Sequence, residues 1–142
     1  MDNKLNCIFK ADIRNIRLAR NVAQIFYADL DSSLGFLNEI KTIISEAVTN
    51  AIIHGCNGDN TMDIYMNLSY DHDFIYIEVI DKGVGIKDIE LAKTPMYTTK
   101  PEEDRSGLGF TIMDIFSDEM IVESTVGEGC RVKVIKSYDQ IE

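Results

Sequence analysis

The sequence predicts an α+β fold, with helices packed on one face of a mixed, mostly antiparallel sheet. Three observations lead there. Two long stretches in the first half of the chain carry apolar residues at helical spacing. About five short segments alternate apolar with polar residues, and most are joined by turns of hairpin length. The 142 residues, 45% of them hydrophobic, suffice for one domain with a core of its own. Hairpin-connected strands beside separate helices call for a helical layer laid over a sheet.

The elements follow in chain order. Residues 4–11, KLNCIFKA, alternate as a short strand. Asp12 can cap a helix reaching residue 30, with Ile13, Ile16, Ala19, Val22, Ala23, Phe26 and Leu30 at helical spacing. DLDSS breaks it. A second helix starts at Ser32 or Ser33 and runs to His54, where Gly55 supplies a stop. NGDN, at 57–60, is turn chemistry. Residues 62–70 and 74–81 form an antiparallel hairpin over the polar turn DHD. Residues 81–106 lose periodicity, apart from a helical turn near DIELAK, and hold both prolines, Pro95 and Pro101. A stretch of that kind in a small domain is a functional lid or is disordered. A short helix at 107–117 follows, entered through two glycines, then a closing hairpin of 119–125 and 130–137 over VGEG.

Composition excludes several functions. Fourteen basic against twenty-four acidic residues leave a net charge of −10, which argues against direct contact with nucleic acid. A basic protein partner fits that balance better. Cys7, Cys56 and Cys130 are far apart, with no CxxC, as expected of reduced thiols. His54 has only His72 for a companion, so no metal site of the zinc type follows. No signal-like apolar core opens the chain and no run of about 18 apolar residues occurs, so a cytoplasmic protein without a membrane span is expected.

Three constellations carry chemistry. In SEAVTNAIIHG, Glu46 and Asn50 stand four apart on one face of an otherwise apolar helix. Buried without partners, such groups are costly. DKGVGI ends a strand with Asp81 and follows it with Gly83 and Gly85, which let a backbone approach a ligand closely. Taken alone, that pattern reads first as an ordinary strand-ending turn. RSGLGF sets Gly107 and Gly109 at the mouth of a helix, where free amides and the helix dipole suit phosphate, or merely a capped helix start. No Walker-type GxxxxGK[ST] is present. Taken together, an amide oxygen suits Mg²⁺, and a carboxylate four residues before it can accept a proton from an attacking hydroxyl.

In that order, EAVTNAIIHG, DKGVGI and RSGLGF resemble the GHKL (Bergerat-fold) ATP-binding family. With MYTTKPEEDRSGLGFTIMDIFSDEMIVEST, the chain is similar over nearly its whole length to one branch, the small anti-sigma factor serine kinases of endospore-forming bacteria. The resemblance implies a two-layer α/β sandwich over residues 1–142 and a homodimer that binds ATP and Mg²⁺ and releases ADP. It implies that the sporulation sigma factor F is held inactive and that a serine of the anti-anti-sigma factor SpoIIAA is phosphorylated. A switch kinase for a stress-response sigma factor, or a nucleotide-gated binding module without useful catalysis, are the alternatives. By the same resemblance Glu46 is the catalytic base and Asn50 the Mg²⁺ ligand. Asp81 binds the adenine amine, Gly83 and Gly85 shape its pocket, and Gly107 and Gly109 let a lid at 91–107 meet the phosphates. In that lid Thr98 or Thr99 can donate to phosphate, and Lys100 and Arg105 can neutralise it, Arg105 matching a lid arginine of the family.

Arg14, Arg17 and Arg20 recur every third residue. A solvated helix face explains them, but Arg20 matches a partner-contacting arginine of the family. Two departures stand out. Cys130 replaces the family's usual threonine near the adenine, a weaker hydrogen-bond partner, and Ile16 stands where an acidic residue is common.

Overall fold

The computed structural model describes residues 2–31, 33–86, 93 and 109–138. Strand β1 (Asn3–Lys10) leads into helices α1 (Arg14–Tyr27) and α2 (Leu34–Thr49), and α2 continues without a break into a π-helical turn (Asn50–Gly55). Strands β2 (Asp63–Tyr70) and β3 (Phe74–Asp81), helix α3 (Gly109–Phe116), and strands β4 (Glu119–Thr125) and β5 (Gly129–Ser137) follow. They form one sheet in the order β1-β2-β3-β5-β4, every neighbouring pair antiparallel. The parallel pairing that a mixed sheet would contain does not occur among the described strands.

Strand parity decides which side chains go inward. Ile64, Met66 and Leu68 of β2 face the core with Ile75, Ile77 and Val79 of β3 and Val132 and Val134 of β5. The helices cover that face. Helix α2 contributes most, with Phe36, Ile40, Ile43, Ile44, Ala47 and Val48 all buried. Each isoleucine so enclosed contributes about 1.5–3 kcal/mol. The opposite face of the sheet carries Asn67, Glu78, Arg131 and Lys133, with Arg131 paired to Glu78 and also reaching Glu123 at 3.3 Å.

Side chains set the helix ends. Ser33 Oγ accepts the Phe36 amide at 3.3 Å and starts α2. Asp12 Oδ1 accepts the Arg14 amide at 2.9 Å and its carboxylate pairs with the Arg14 guanidinium, and α1 begins at Arg14, one residue later than the apolar spacing indicates. At its other end the Leu30 amide bonds to the Tyr27 carbonyl, a turn that keeps Leu30 on the apolar face after the helix has stopped at Tyr27. Tyr27 itself is fully enclosed. Its hydroxyl donates to the Tyr76 carbonyl at 2.7 Å and accepts the Ser69 amide at 3.1 Å, stapling α1 to a facing pair of residues in β2 and β3.

Candidate functional site

The alternation that turns Ile75, Ile77 and Val79 inward carries one step further, to Asp81. Its carboxylate is therefore delivered to the core side of the sheet, 5% exposed, the one buried charged residue among those described. Burial raises its proton affinity, while the backbone amides of Gly83, at 2.9 Å, and Cys130 oppose the rise; the balance leaves it pushed up to about 6. No cation among the described residues contributes to that balance. Among the described residues backbone amides alone hold this buried carboxylate, which leaves it an acceptor with capacity to spare.

Glycines build the cradle around it. A Cβ on Gly83 would stand 1.8 Å from the Gly55 carbonyl oxygen, and one on Gly129 would stand 2.1 Å from the Asp81 carbonyl oxygen. The Gly55 carbonyl accepts the Val84 amide at 2.9 Å, and the Val84 carbonyl accepts from Gly127 at 2.8 Å. Gly85 takes φ +76°, open to glycine without strain, and passes close to the Thr125 backbone. Ser124 Oγ accepts the Ile86 amide at 2.6 Å and donates to the Gly129 carbonyl at 2.9 Å, which ties the loop after β3 to the β4–β5 hairpin.

The second half of the cluster lies where α2 meets α3. Glu46 and Asn50 are half-buried, one at the last turn of α2 and one at the first residue of the π-helical turn. A Cβ on Gly109 would come within 3.0 Å of Glu46 Oε2 and 3.1 Å of Asn50 Nδ2. Carboxylate and amide thus both reach Gly109, the first described residue of α3. π-Helical turns are rare and concentrate at functional sites.

The donor set fits ATP and Mg²⁺. Asp81 offers a buried acceptor suited to an exocyclic amine. Asn50 offers one hard oxygen, and the described residues contain no cluster of three His, Cys, Asp or Glu that would make a closed cage. Mg²⁺ is commonly held by few protein oxygens, with phosphates and waters completing its shell.

Of the residues singled out in the sequence, the structure brings Glu46, Asn50 and Gly109 together, and Asp81, Gly83 and Gly85 together, with the helix end between them. Thr98, Thr99, Lys100, Arg105 and Gly107, and the lid at 91–107 but for Lys93, lie outside the described residues. Arg20 sits elsewhere, on α1, half-buried, with Nε enclosed and lacking a hydrogen-bond partner among the described residues. Cys130 is the register partner of Asp81, and burial and that carboxylate push its thiol up to about 12. Burial and Asp81 push Cys56 up to about 11. Thiols so protonated are poor nucleophiles. In the sequence Gly55, Ser124 and Gly129 stand only as a helix stop, a strand residue and a turn. Nothing in their spacing marks them as walls of this pocket.

Residues 9–136 match the family described as "Histidine kinase-like ATPase domain". The anti-sigma F factor of Geobacillus stearothermophilus is 47% identical over 138 residues, 97% of this chain and 94% of that protein. The anti-sigma F factors of Anoxybacillus flavithermus (strain DSM 21510 / WK1) and Bacillus licheniformis are 44% and 42% identical, each across 96% of this chain and 93% of their own. The chain belongs to the anti-sigma F factor family of histidine kinase-like ATPase domains. The antiparallel sheet with its helical layer is the α+β architecture expected of that family. No described helix is long and apolar enough to cross a membrane. A groove of about 480 Å³ on the sheet face away from the described helices, lined by Lys4, Asn67, Tyr76, Glu78 and Lys133, lies on the opposite side from Asp81.

Proposed function

We propose that the protein is an ATP-dependent protein-serine kinase and an anti-sigma factor that sequesters sigma factor F and phosphorylates a serine of SpoIIAA. The observation that carries the catalytic half is the convergence of Glu46 and Asn50 on Gly109 at the start of α3. A carboxylate there is about one helical turn from an amide able to hold a metal, beside a helix whose N-terminal end suits phosphate oxygens. The names of the relatives favour sigma factor F over a stress-response sigma factor.

Each residue has a role in this reading. Asp81 accepts from the adenine amine in the pocket shaped by Gly83 and Gly85. Asn50 holds Mg²⁺, which when bound neutralises phosphate charge and aligns the terminal phosphoryl group. Glu46 takes the proton from the serine hydroxyl as its oxygen bonds to the γ-phosphorus; the bond from that phosphorus to the bridging oxygen breaks, and ADP leaves with that oxygen. Gly107, Gly109, Arg105 and Thr98 or Thr99 receive the phosphates from the lid at 91–107. Arg20 contacts a protein partner, and the working unit is a cytoplasmic homodimer.

Phosphotransfer from γ-labelled ATP with Mg²⁺ to SpoIIAA, measured beside Glu46→Gln, tests this. Label on a serine of SpoIIAA, lost in the variant while ATP binding persists, is the expected result. Unchanged turnover in the variant removes Glu46 from the base role. Absence of label in both, with ATP and sigma factor F still bound, leaves a nucleotide-gated sequestering module and refutes the kinase.

A further inference from the structure

Helix α2 ends in a way that an uninterrupted α-helix could not. Residues five apart on an α-helix point roughly 140° apart. A turn bonded from i to i+5 accommodates one extra residue and closes that angle to roughly 40°. Here the Cys56 amide reaches back five residues to the Ala51 carbonyl at 2.8 Å. Gly55 is thereby swung toward the direction of Asn50 and comes to rest beneath Asp81.

The fit leaves no space. A Cβ at Gly55 would lie 2.5 Å from Asp81 Cγ and 2.6 Å from each carboxylate oxygen. Gly55 is not among the glycines with positive φ, so backbone freedom does not explain it. The missing side chain does. The helix end cannot retreat easily, because its carbonyl is bonded to the Val84 amide and abuts Gly83. The movable part of the contact is the Asp81 side chain, the group that faces the ligand.

We propose that Gly55 is a specificity-determining positioning residue: by lacking a side chain, it holds the Asp81 carboxylate at the angle that accepts from the exocyclic amine of the base. The selectivity of the pocket is then set from the helix as well as from the strand. This rests on the assignment of Asp81 as the base acceptor, and the test separates the two.

Affinities for ATP and for purine riboside triphosphate, which lacks the amine, are measured with Mg²⁺ by calorimetric titration for wild type, Asp81→Ala, Gly55→Ala and the double variant. A hydrogen bond to a charged acceptor makes wild type prefer ATP by roughly tenfold or more. Gly55→Ala loses that preference, chiefly through weaker ATP binding, and adds nothing further in the Asp81→Ala background. If wild type shows no preference, or Asp81→Ala binds ATP unchanged, the Asp81 assignment fails and this inference falls with it. If the preference exists and Gly55→Ala keeps it, or weakens both nucleotides equally, Gly55 is a structural residue only and the inference alone is overturned. Should Gly55→Ala fail to fold, the double variant decides: the added methyl fills the space left by the carboxylate and folding returns. A double variant that also fails to fold places the clash elsewhere and overturns the inference.

Discussion

Asp81→Asn should trade function for stability, and the trade should depend on pH in a stated direction. Burial holds the Asp81 carboxyl up at about 6, against an ordinary 3.8. The native state therefore binds this proton more tightly than the unfolded chain does. The stability Asp81 contributes is complete below its unfolded value and is lost as pH rises through about 6. A gap of that size corresponds to about 3 kcal/mol in all. Asparagine has nearly the same shape and does not titrate, so other groups cancel when the two proteins are compared at each pH. Because the isoelectric point is about 4.6, the series runs from pH 5 to pH 8 to avoid precipitation. Over that range the variant should gain on wild type by about 1.5 kcal/mol, half of the full effect. At pH 8 it should be the more stable by about 1–2 kcal/mol, after about 1 kcal/mol is lost where an amide nitrogen faces a backbone N–H. Urea unfolding followed by circular dichroism, without nucleotide, reads this directly. A stability difference flat across the series, or wild type gaining as pH rises, would refute the buried-carboxylate argument whatever happens to ATP binding.

Two further outcomes follow from contacts described above. Tyr27→Phe strips the hydroxyl that serves the Tyr76 carbonyl and the Ser69 amide, and should cost about 1–3 kcal/mol in urea unfolding with ATP affinity unchanged. A loss well below that range would mean the β2–β3 ladder satisfies both groups unaided. Ser124→Ala releases the Ile86 amide and the Gly129 carbonyl and should weaken ATP severalfold while leaving overall stability within about 1 kcal/mol, as checked by nucleotide titration and thermal melting. Unaltered affinity would show that the loop after β3 is held by its glycine contacts alone.

The sheet is largely legible in the sequence because its signal is local. Two-residue alternation with hairpin turns locates Phe74–Asp81 and Glu119–Thr125 to the residue, and Asp81 shares the parity of Ile75, Ile77 and Val79. Helix α2 is legible in extent but not in kind. Apolar spacing runs on to His54, and nothing in NAIIHG separates a π-helical turn from an α-helical one, since the difference arises where Gly55 locks onto Val84 and Asp81. Glu46, Asn50 and Asp81 can be found as polar residues on apolar faces. The walls around them cannot, because Gly55, Ser124 and Gly129 matter through contacts to segments far away in sequence. Their importance is a property of approach, and residue type at one position does not record it.

The placement of β5 between β3 and β4 has a bearing on how the protein is born. The ribosome makes Asp81 well before Gly129 and Cys130, yet the carboxylate's pocket is walled by both. Until the last of the five described strands has emerged and inserted itself beside β3, a nascent chain holds a charged residue on an unpaired strand edge with nothing to enclose it. Nucleotide capture must then await the synthesis of β5, so a chain interrupted before Gly129 would lack the pocket that encloses Asp81.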